Sequence, residues 1–234
     1  MIVTDSFTDQ SQGAGERTCH YSRGRNEAIL MIANGSDGAF SSGYQPLIDF
    51  VLQHFQELPF TTASHTIPED LSRKCESLRV AMQRHFPCTD DWLNTQFSAT
   101  YLISLIYANS CFTSWLGNFQ IKLYRQGLCL SESSPHILNP PITKQGGGLL
   151  VVATKTATTV PCSEQFNAET LEPWQLEAGD ILVIADSLLF LLDRSGEISK
   201  IVSSSQPHPA KRLVDWAQSI QFTRGQSALV ARIT

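Results

Sequence analysis

The sequence predicts an α+β fold in which helices pack on antiparallel sheets. Three observations carry this prediction: strand-like segments cluster between residues 97 and 130, tight turns separate them, and the helical segments come in blocks instead of alternating with strands one by one. With 234 residues, 42% of them hydrophobic, the chain can bury a core of its own. We therefore expect one domain over residues 1–234 and exclude intrinsic disorder.

The first part of the chain contains one strand and two helices. Residues 1–27 are polar with no regular pattern, and the apolar run 28–33 then predicts a buried strand that ends in a turn at Asn34-Gly35. Apolar residues over 47–58 repeat with helical spacing and predict an amphipathic helix. A second helix is predicted over 68–86, because it opens on a proline and carries one apolar stripe.

Strands dominate from residue 97 onward. A meander is predicted over 97–108, 111–116 and 119–125, with a hairpin turn at Asn109-Ser110 and another turn at Gln126-Gly127. The remaining predicted elements, in chain order, are a loop over 131–147, strands over 149–153 and 181–185, a helix over 209–220 and a closing strand over 228–233.

The composition excludes several classes of function. The net charge is −5 and charged residues make up 17%, so the chain lacks the basic face that nucleic-acid binding needs. The longest apolar run is interrupted by Asp186 and Ser187, so we expect no membrane span. The six cysteines are widely spaced and the first residues lack the pattern of a signal peptide. We therefore expect reduced thiols and a cytoplasmic protein.

The order of the elements resembles the type 2C protein phosphatases, the metal-dependent PPM family, along most of the chain. Residues 29–38 are similar to the family's apolar strand followed by Asp-Gly-x-Gly-Gly, and residues 97–127 to its Thr-rich strand and Gly-Asp-Ser-Arg strand. Residues 176–188 resemble its Leu-x-x-Gly-Asp and Ser-Asp-Gly-Leu strand, and residues 211–230 its closing helix and Asp-Asn-x-Thr strand. The resemblance implies an αββα sandwich: two antiparallel sheets flanked by helices.

The resemblance also implies two Mg²⁺ or Mn²⁺ ions held by carboxylates at the sheet ends. These ions activate a water that attacks phosphoserine or phosphothreonine. Matched by position, the strand-end Asp of the family is Asn34, the Gly that offers its carbonyl is Gly35, and one Asp is retained as Asp186. The closing Asp-Asn pair becomes Gly225-Gln226, which removes a further ligand.

Two further family positions are also changed. The N-terminal Asp of the family falls near Cys19-His20, and Arg17 is a loose, out-of-register match for the phosphate-binding Arg. Asp186 is then the one acidic ligand that survives. Two dications about 4 Å apart repel by roughly 17 kcal/mol at an effective dielectric constant near 20, so a single carboxylate cannot hold them.

The resemblance therefore implies a degenerate family member, a pseudophosphatase that needs no cofactor and binds a protein partner such as a kinase or a phosphoprotein. No catalytic residue is assigned. A rival alignment matches Asp37-Gly38 to the family's bacterial variant Asp-Gly-Ala-Gly-Ser. It leads to a second hypothesis, an active serine/threonine phosphatase that uses Asp37 and Asp186 with Mg or Mn. A third hypothesis is a structural subunit defined by its partner.

Two of these residues also have purely local interpretations. Asp186 precedes a Leu-rich run and is typical of a helix N-cap. Asn34 precedes Gly35 and is typical of a turn.

Overall fold

The computed structural model describes residues 1–9, 16–22, 27–36, 45–56, 66–86, 98–135, 142–143, 149–150, 168–220 and 226–234. Thirteen strands and five helices lie within these ranges. In chain order they are β1 (Ile2–Thr8), β2 (Glu16–Ser22), β3 (Ala28–Ser36), α1 (Gln45–Gln56), α2 (Ile67–His85), β4 (Ser98–Tyr107), β5 (Ser110–Leu116), β6 (Phe119–Arg125), β7 (Leu128–Glu132), β8 (Ile142–Thr143), β9 (Leu149–Leu150), β10 (Glu169–Thr170), β11 (Trp174–Gln175), β12 (Ile181–Asp186), α3 (Ser187–Leu192), α4 (Glu197–Ser203), α5 (Pro209–Ser219) and β13 (Ser227–Ile233).

The strands form two larger antiparallel sheets. The first sheet has the order β1-β13-β12-β6-β7, and the second has the order β10-β5-β4-β3-β2, with β11 also paired to β5. Strands β8 and β9 form a separate antiparallel pair. The strands of the predicted meander are present, but the meander itself was wrong: β4 pairs β5 in the second sheet, β6 pairs β7 in the first, and the turn between β5 and β6 crosses from one sheet to the other.

The sheets stack face to face and helices cover their outer faces. Leu30 and Ile32 of β3 pack between the sheets, whereas Ile29 and Met31 face the helices α1 and α2. The sequence of β3 is a continuous apolar run over 28–33 because both faces of this strand are buried. The outer face of the first sheet packs against α3, α4 and α5. The αββα sandwich predicted above is confirmed.

Three local predictions were wrong. The first 27 residues are not irregular throughout, since β1 and β2 lie within them. Strand β3 does not end at Asn34 but continues to Ser36, with Asn34 paired to Thr100 and Gly35 to Ala99 of β4. The turn between β4 and β5 is centred on Ala108-Asn109, and Ser110 already belongs to β5.

The β4–β5 turn places an alanine in a left-handed conformation. Ala108 has φ 48° and Asn109 has φ 62°, the pair of positive values that a type I′ turn requires. Alanine resists this conformation, and glycine does not. We expect Ala108→Gly to raise the free energy of unfolding by about 1 kcal/mol, measured by urea denaturation. As a matched control, Ala178→Gly at an exposed turn position should bring no gain; equal effects would contradict the assignment of strain to Ala108.

A buried ion pair joins β6 to the turn before β12. The Arg125 guanidinium donates from Nε to Asp180 Oδ1 at 2.7 Å and from Nη2 to Oδ2 at 2.9 Å. The Glu177 backbone N–H also donates to Asp180 Oδ2 at 2.8 Å. The Asp180 side chain has no exposed surface, so the arginine neutralises a charge that water does not reach.

Two further findings concern the described residues only. The cysteines there, Cys19, Cys75, Cys111 and Cys129, form no disulfide. None of the described helices combines the length and the apolar character that a membrane crossing would require.

Candidate functional site

The candidate site lies between the two sheets, at one end of the sandwich. Along β3, Leu30 and Ile32 face the inter-sheet core and Asn34 is the next residue of that alternating row. Along β12, Leu182 and Ile184 face the same core and Asp186 ends the row. Each apolar row therefore finishes in a polar side chain that points between the sheets.

Hydroxyl groups connect the two sheets at this end. Thr8 of β1 and Thr18 of β2 lie with their hydroxyl oxygens 3.3 Å apart, and Ser227 of β13 donates to the Thr8 hydroxyl at 2.9 Å. Ser227 is buried and begins the inward row of β13 that continues with Leu229. Threonine and serine therefore occupy this end of the sandwich, where the apolar core gives way to neutral polar groups.

Asp186 is the charged member of the site, and both of its carboxylate oxygens accept hydrogen bonds. Oδ1 accepts from the Leu188 backbone N–H at 2.8 Å, which makes Asp186 the N-cap of α3, as the local interpretation predicted. Oδ2 accepts from the side-chain amide of Asn118. The backbone carbonyl of Asn118 in turn accepts from the Ser187 backbone N–H at 2.9 Å. Neutral donors thus already engage this carboxylate.

Several buried polar atoms near the ends of these strands have no hydrogen-bond partner. Asn34 Oδ1 and Thr100 Oγ1 belong to the rows of β3 and β4 that face between the sheets, whereas Oε1 and Nε2 of Gln226 continue the row of Ala228 and Val230 that faces the helices; Ser187 Oγ also has no partner. Thr100 is the cross-strand partner of Asn34. Ser187 lies opposite Gln226 when the register that pairs Ala185 with Ala228 is continued. Buried polar groups are normally paired, so the unpaired oxygens of Asn34 and Thr100 distinguish this end of the inter-sheet space from ordinary core.

The structure brings together some of the predicted site residues. Asn34, Gly35 and Asp186 lie at this end, and Gly35 is buried in β3. Arg17 lies in β2 opposite Ala33. Asp37 and Gly225 fall outside the described residues.

The segment that was matched to the family's N-terminal Asp, Cys19-His20, lies away from this site. Cys19 and His20 occupy the middle of β2, opposite Met31 and Leu30, so they are not at the strand end. Cys19 packs against the helix-covered core and His20 is exposed. Neither belongs to the site.

Sequence reasoning missed Asn118 and Thr100. Asn118 directly precedes β6, and its amide contacts Asp186 across 68 positions of sequence. The register that pairs Phe119 with Asp186 creates this contact. No local sequence pattern predicts this contact. The one available signal was that Asn118 lies in the segment that resembles the family's Gly-Asp-Ser-Arg strand.

The described residues do not fit a pair of divalent ions. Mg²⁺ and Mn²⁺ favour carboxylate and other hard oxygen ligands, and two ions require several negative charges. Asp186 accepts from two neutral donors, and Asp9, which follows β1, accepts from the side-chain amide of Gln218 in α5 at 2.6 Å. Within the described ranges, no three side chains of His, Cys, Asp or Glu are grouped to hold a metal.

Comparison with solved structures shows the same architecture in bacterial phosphatases. The catalytic domain of the serine/threonine phosphatase PstP, solved in complex with two manganese ions, superposes with a TM-score of 0.74 at 13% identity, covering 100% of this chain and 99% of that one. Stp1 from Staphylococcus aureus gives a TM-score of 0.75 at 13% identity, covering 100% and 96%. PppA, a regulatory component of the type VI secretion system in Pseudomonas aeruginosa, gives 0.67 at 15% identity, covering 100% and 98%.

Sequence comparison adds no closer relative. No protein-family model and no curated protein matches the chain. At identities of 13% to 15%, similarity to the solved structures shows the fold alone. The chain therefore has the fold of the type 2C serine/threonine protein phosphatases, as its motifs indicated.

Proposed function

We propose that this chain is a pseudophosphatase: a non-catalytic module of the type 2C fold that binds a protein partner. The observation that carries the proposal is the hydrogen bonding of Asp186. Its two carboxylate oxygens accept from Asn118 and from the N-terminus of α3, so the surviving acid serves the fold.

An electrostatic argument supports the same conclusion. A cation that approached Asp186 Oδ2 would meet the positive end of the Asn118 amide dipole, which points at the same oxygen. Asn34 of β3 supplies a neutral oxygen instead of an anionic one. The site thus offers one shared negative charge where two dications would need several.

The proposal predicts that the protein releases no phosphate from phosphoserine or phosphothreonine peptides with Mn²⁺ or Mg²⁺ present. The wild-type chain and Asp186→Asn should show the same rate as buffer alone. The asparagine variant is the suitable comparison because asparagine is as good an N-cap as aspartate and keeps α3 in place. Malachite-green detection of phosphate at matched protein concentrations measures both rates.

The opposite result would support the second hypothesis, an active metal-dependent phosphatase. Turnover that requires Mn²⁺ and falls at least 100-fold in Asp186→Asn would overturn the pseudophosphatase proposal. Asp37→Asn would then test the ligand set of Asp37 and Asp186, because only an enzyme that uses both acids loses turnover in either variant. A control substitution at Asp49, on the exposed surface of α1, should leave turnover unchanged.

The proposed partner is a kinase or a phosphoprotein in the cytoplasm. A preserved scaffold whose described residues include no cluster of metal ligands is what we expect of a binding module. Cysteines that form no disulfide in the described ranges suit a reducing compartment. Co-purification from the native cell, with the Asp186→Asn protein as comparison, tests this part of the proposal.

A further inference from the structure

We propose that Ser204 is a phosphorylation site whose phosphate is held by Arg212 and Arg232. Ser204 is the residue after α4; it is half-buried, and the four residues that follow it, 205–208, are exposed. A protein kinase would transfer the terminal phosphoryl group of a nucleoside triphosphate to the Ser204 hydroxyl. The Oγ–P bond forms, the bond from phosphorus to the nucleoside diphosphate breaks, and the hydroxyl proton leaves. The product carries nearly two negative charges at neutral pH.

The first argument is that two guanidinium groups meet at Ser204. Arg212 of α5 donates from Nη1 to Ser204 Oγ at 2.6 Å. Arg232 of β13 donates from Nη2 to the backbone carbonyl of Ser204 at 2.8 Å and to that of Val202 at 2.8 Å. Cations from two different elements therefore contact one serine, and a phosphate on this serine would join α4, α5 and β13.

The second argument is that neither arginine is neutralised by an acid. In the described part of the chain, both Arg212 and Arg232 donate only to neutral oxygens. The neighbour of Arg212 in α5 differs, because Lys211 forms an ion pair with Asp215 at 2.6 Å. A chain of net charge −5 thus keeps two cations without a counter-charge beside one hydroxyl group. An arginine pair of this kind is what a phosphate on serine needs to form charge-assisted hydrogen bonds.

The third argument concerns the donors that the arginines still have. Both side chains cap α4, since they bind carbonyls in its last turn and just beyond it. Capping uses only Nη1 of Arg212 and Nη2 of Arg232, and a guanidinium has five N–H groups in a fixed fork. The Nε atom of Arg232 is buried and has no hydrogen-bond partner. The pair can therefore keep its bonds to α4 and donate to phosphate oxygens as well.

Two costs oppose the phosphate, and both are small. Phosphorylation removes the hydroxyl proton that Ser204 donates to the Ile201 carbonyl at 2.8 Å, but Arg212 Nη1 also donates to that carbonyl, at 3.4 Å. The C-terminal end of a helix repels an anion with the equivalent of about half a charge. Two guanidinium groups supply two whole positive charges, so attraction outweighs the helix dipole.

The test compares two full-length proteins that carry genetically encoded phosphoserine, one at position 204 and one at 205. Ser205 is the matched control, because it is adjacent and exposed and bonds neither arginine in the described structure. Phosphorus NMR measures the second pKa of each phosphate, which is ordinarily about 6. We expect this pKa to be lower at Ser204 than at Ser205 by about one pH unit, because neighbouring cations favour the dianion.

Three variants of the protein phosphorylated at Ser204 identify the cause of the difference. Arg212→Gln should remove at least half of it, whereas Arg212→Lys keeps the positive charge and should preserve most of it. Arg194→Gln makes the same chemical change at an exposed position between α3 and α4 and should leave the phosphate pKa unchanged. Phosphorylation should also raise the unfolding temperature of the wild-type protein, and in Arg212→Gln this gain should disappear.

The proposal is overturned if the phosphates at 204 and 205 titrate alike, or if Arg194→Gln acts as strongly as Arg212→Gln. Peptide mass spectrometry of the protein from its native cell tests the modification itself. Phosphate on Ser204 supports the proposal, and phosphate confined to other residues or absent in every growth phase overturns it. These outcomes are independent of phosphatase activity, because Arg232 pairs with the first residue of β12 and Asp186 is the last.

Discussion

Replacing Arg125 with methionine should lower the unfolding temperature by roughly 10 °C. The carboxylate of Asp180 has 0% exposure and is neutralised by two hydrogen bonds from the guanidinium, at 2.7 and 2.9 Å. Methionine keeps much of the side-chain volume but leaves the anion buried without a counter-charge. Removing one member of a buried pair costs far more than removing the whole pair.

The same pair gives a pH signature. Burial raises the pKa of Asp180, but the hydrogen bonds from Arg125 and from the Glu177 backbone outweigh it and hold the pKa below its ordinary value near 4. A lowered folded-state pKa contributes stability above the unfolded pKa and loses it as the pH falls through the folded value. Without Arg125, burial should raise the pKa of Asp180, so the gap between wild type and Arg125→Met should be full well above that raised pKa and shrink as the pH falls from it toward the lowered pKa of the wild type.

Two controls make this result specific. The double variant Arg125→Met/Asp180→Asn should recover a large part of the loss, because a neutral amide costs less to bury than an anion. Lys200→Met breaks an exposed ion pair with Glu197 in α4 and should change the unfolding temperature by about 1 °C or less. An Arg125→Met effect no larger than that of Lys200→Met would contradict the buried-pair description.

The helices and the central strands were predictable because their patterns are local. The apolar stripe of α2 and the alternation within β6 identify each element without knowledge of its neighbours. The strands β1 and β2 were missed because they carry threonine, serine and histidine where a core strand would carry valine or leucine. Their hydroxyls Thr8 and Thr18 meet between the sheets, which no local pattern shows.

The site was predictable only where adjacent residues identify its members. Asp186 was identified both by its motif and by the helix that follows it, and both identifications depend on adjacent residues. The turn predicted at Asn34 was wrong because pairing with Thr100 extends β3 past the Asn-Gly sequence. The role of Asn118 depends on the register between β6 and β12, so it emerges only when the sheet has formed.

Restoring carboxylates should make the stability of the protein depend on a metal ion. In the double variant Asn34→Asp/Asn118→Asp, a second carboxylate replaces the Asn118 amide that donates to Asp186. A third carboxylate replaces the amide of Asn34 in β3. Like charges in this confined place repel, so we expect the double variant to be less stable than wild type in EDTA. Mn²⁺ relieves the repulsion, and an ion present at 100 times its dissociation constant raises the unfolding temperature by about 5–10 °C.

The comparison that decides this prediction is with a variant of equal charge. Gln53→Glu/Asn109→Asp adds the same two negative charges at exposed positions, one on α1 and one in the β4–β5 turn, so a general response to Mn²⁺ would appear there as well. Wild type and this control should not shift with Mn²⁺ in differential scanning fluorimetry. A shift in the wild type as large as in the double variant would mean that the neutral oxygens of Asn34 and Asn118 already suffice for a metal. The argument from missing negative charge would then fail, because the fold would hold its ions by geometry and main-chain oxygens rather than by anionic ligands.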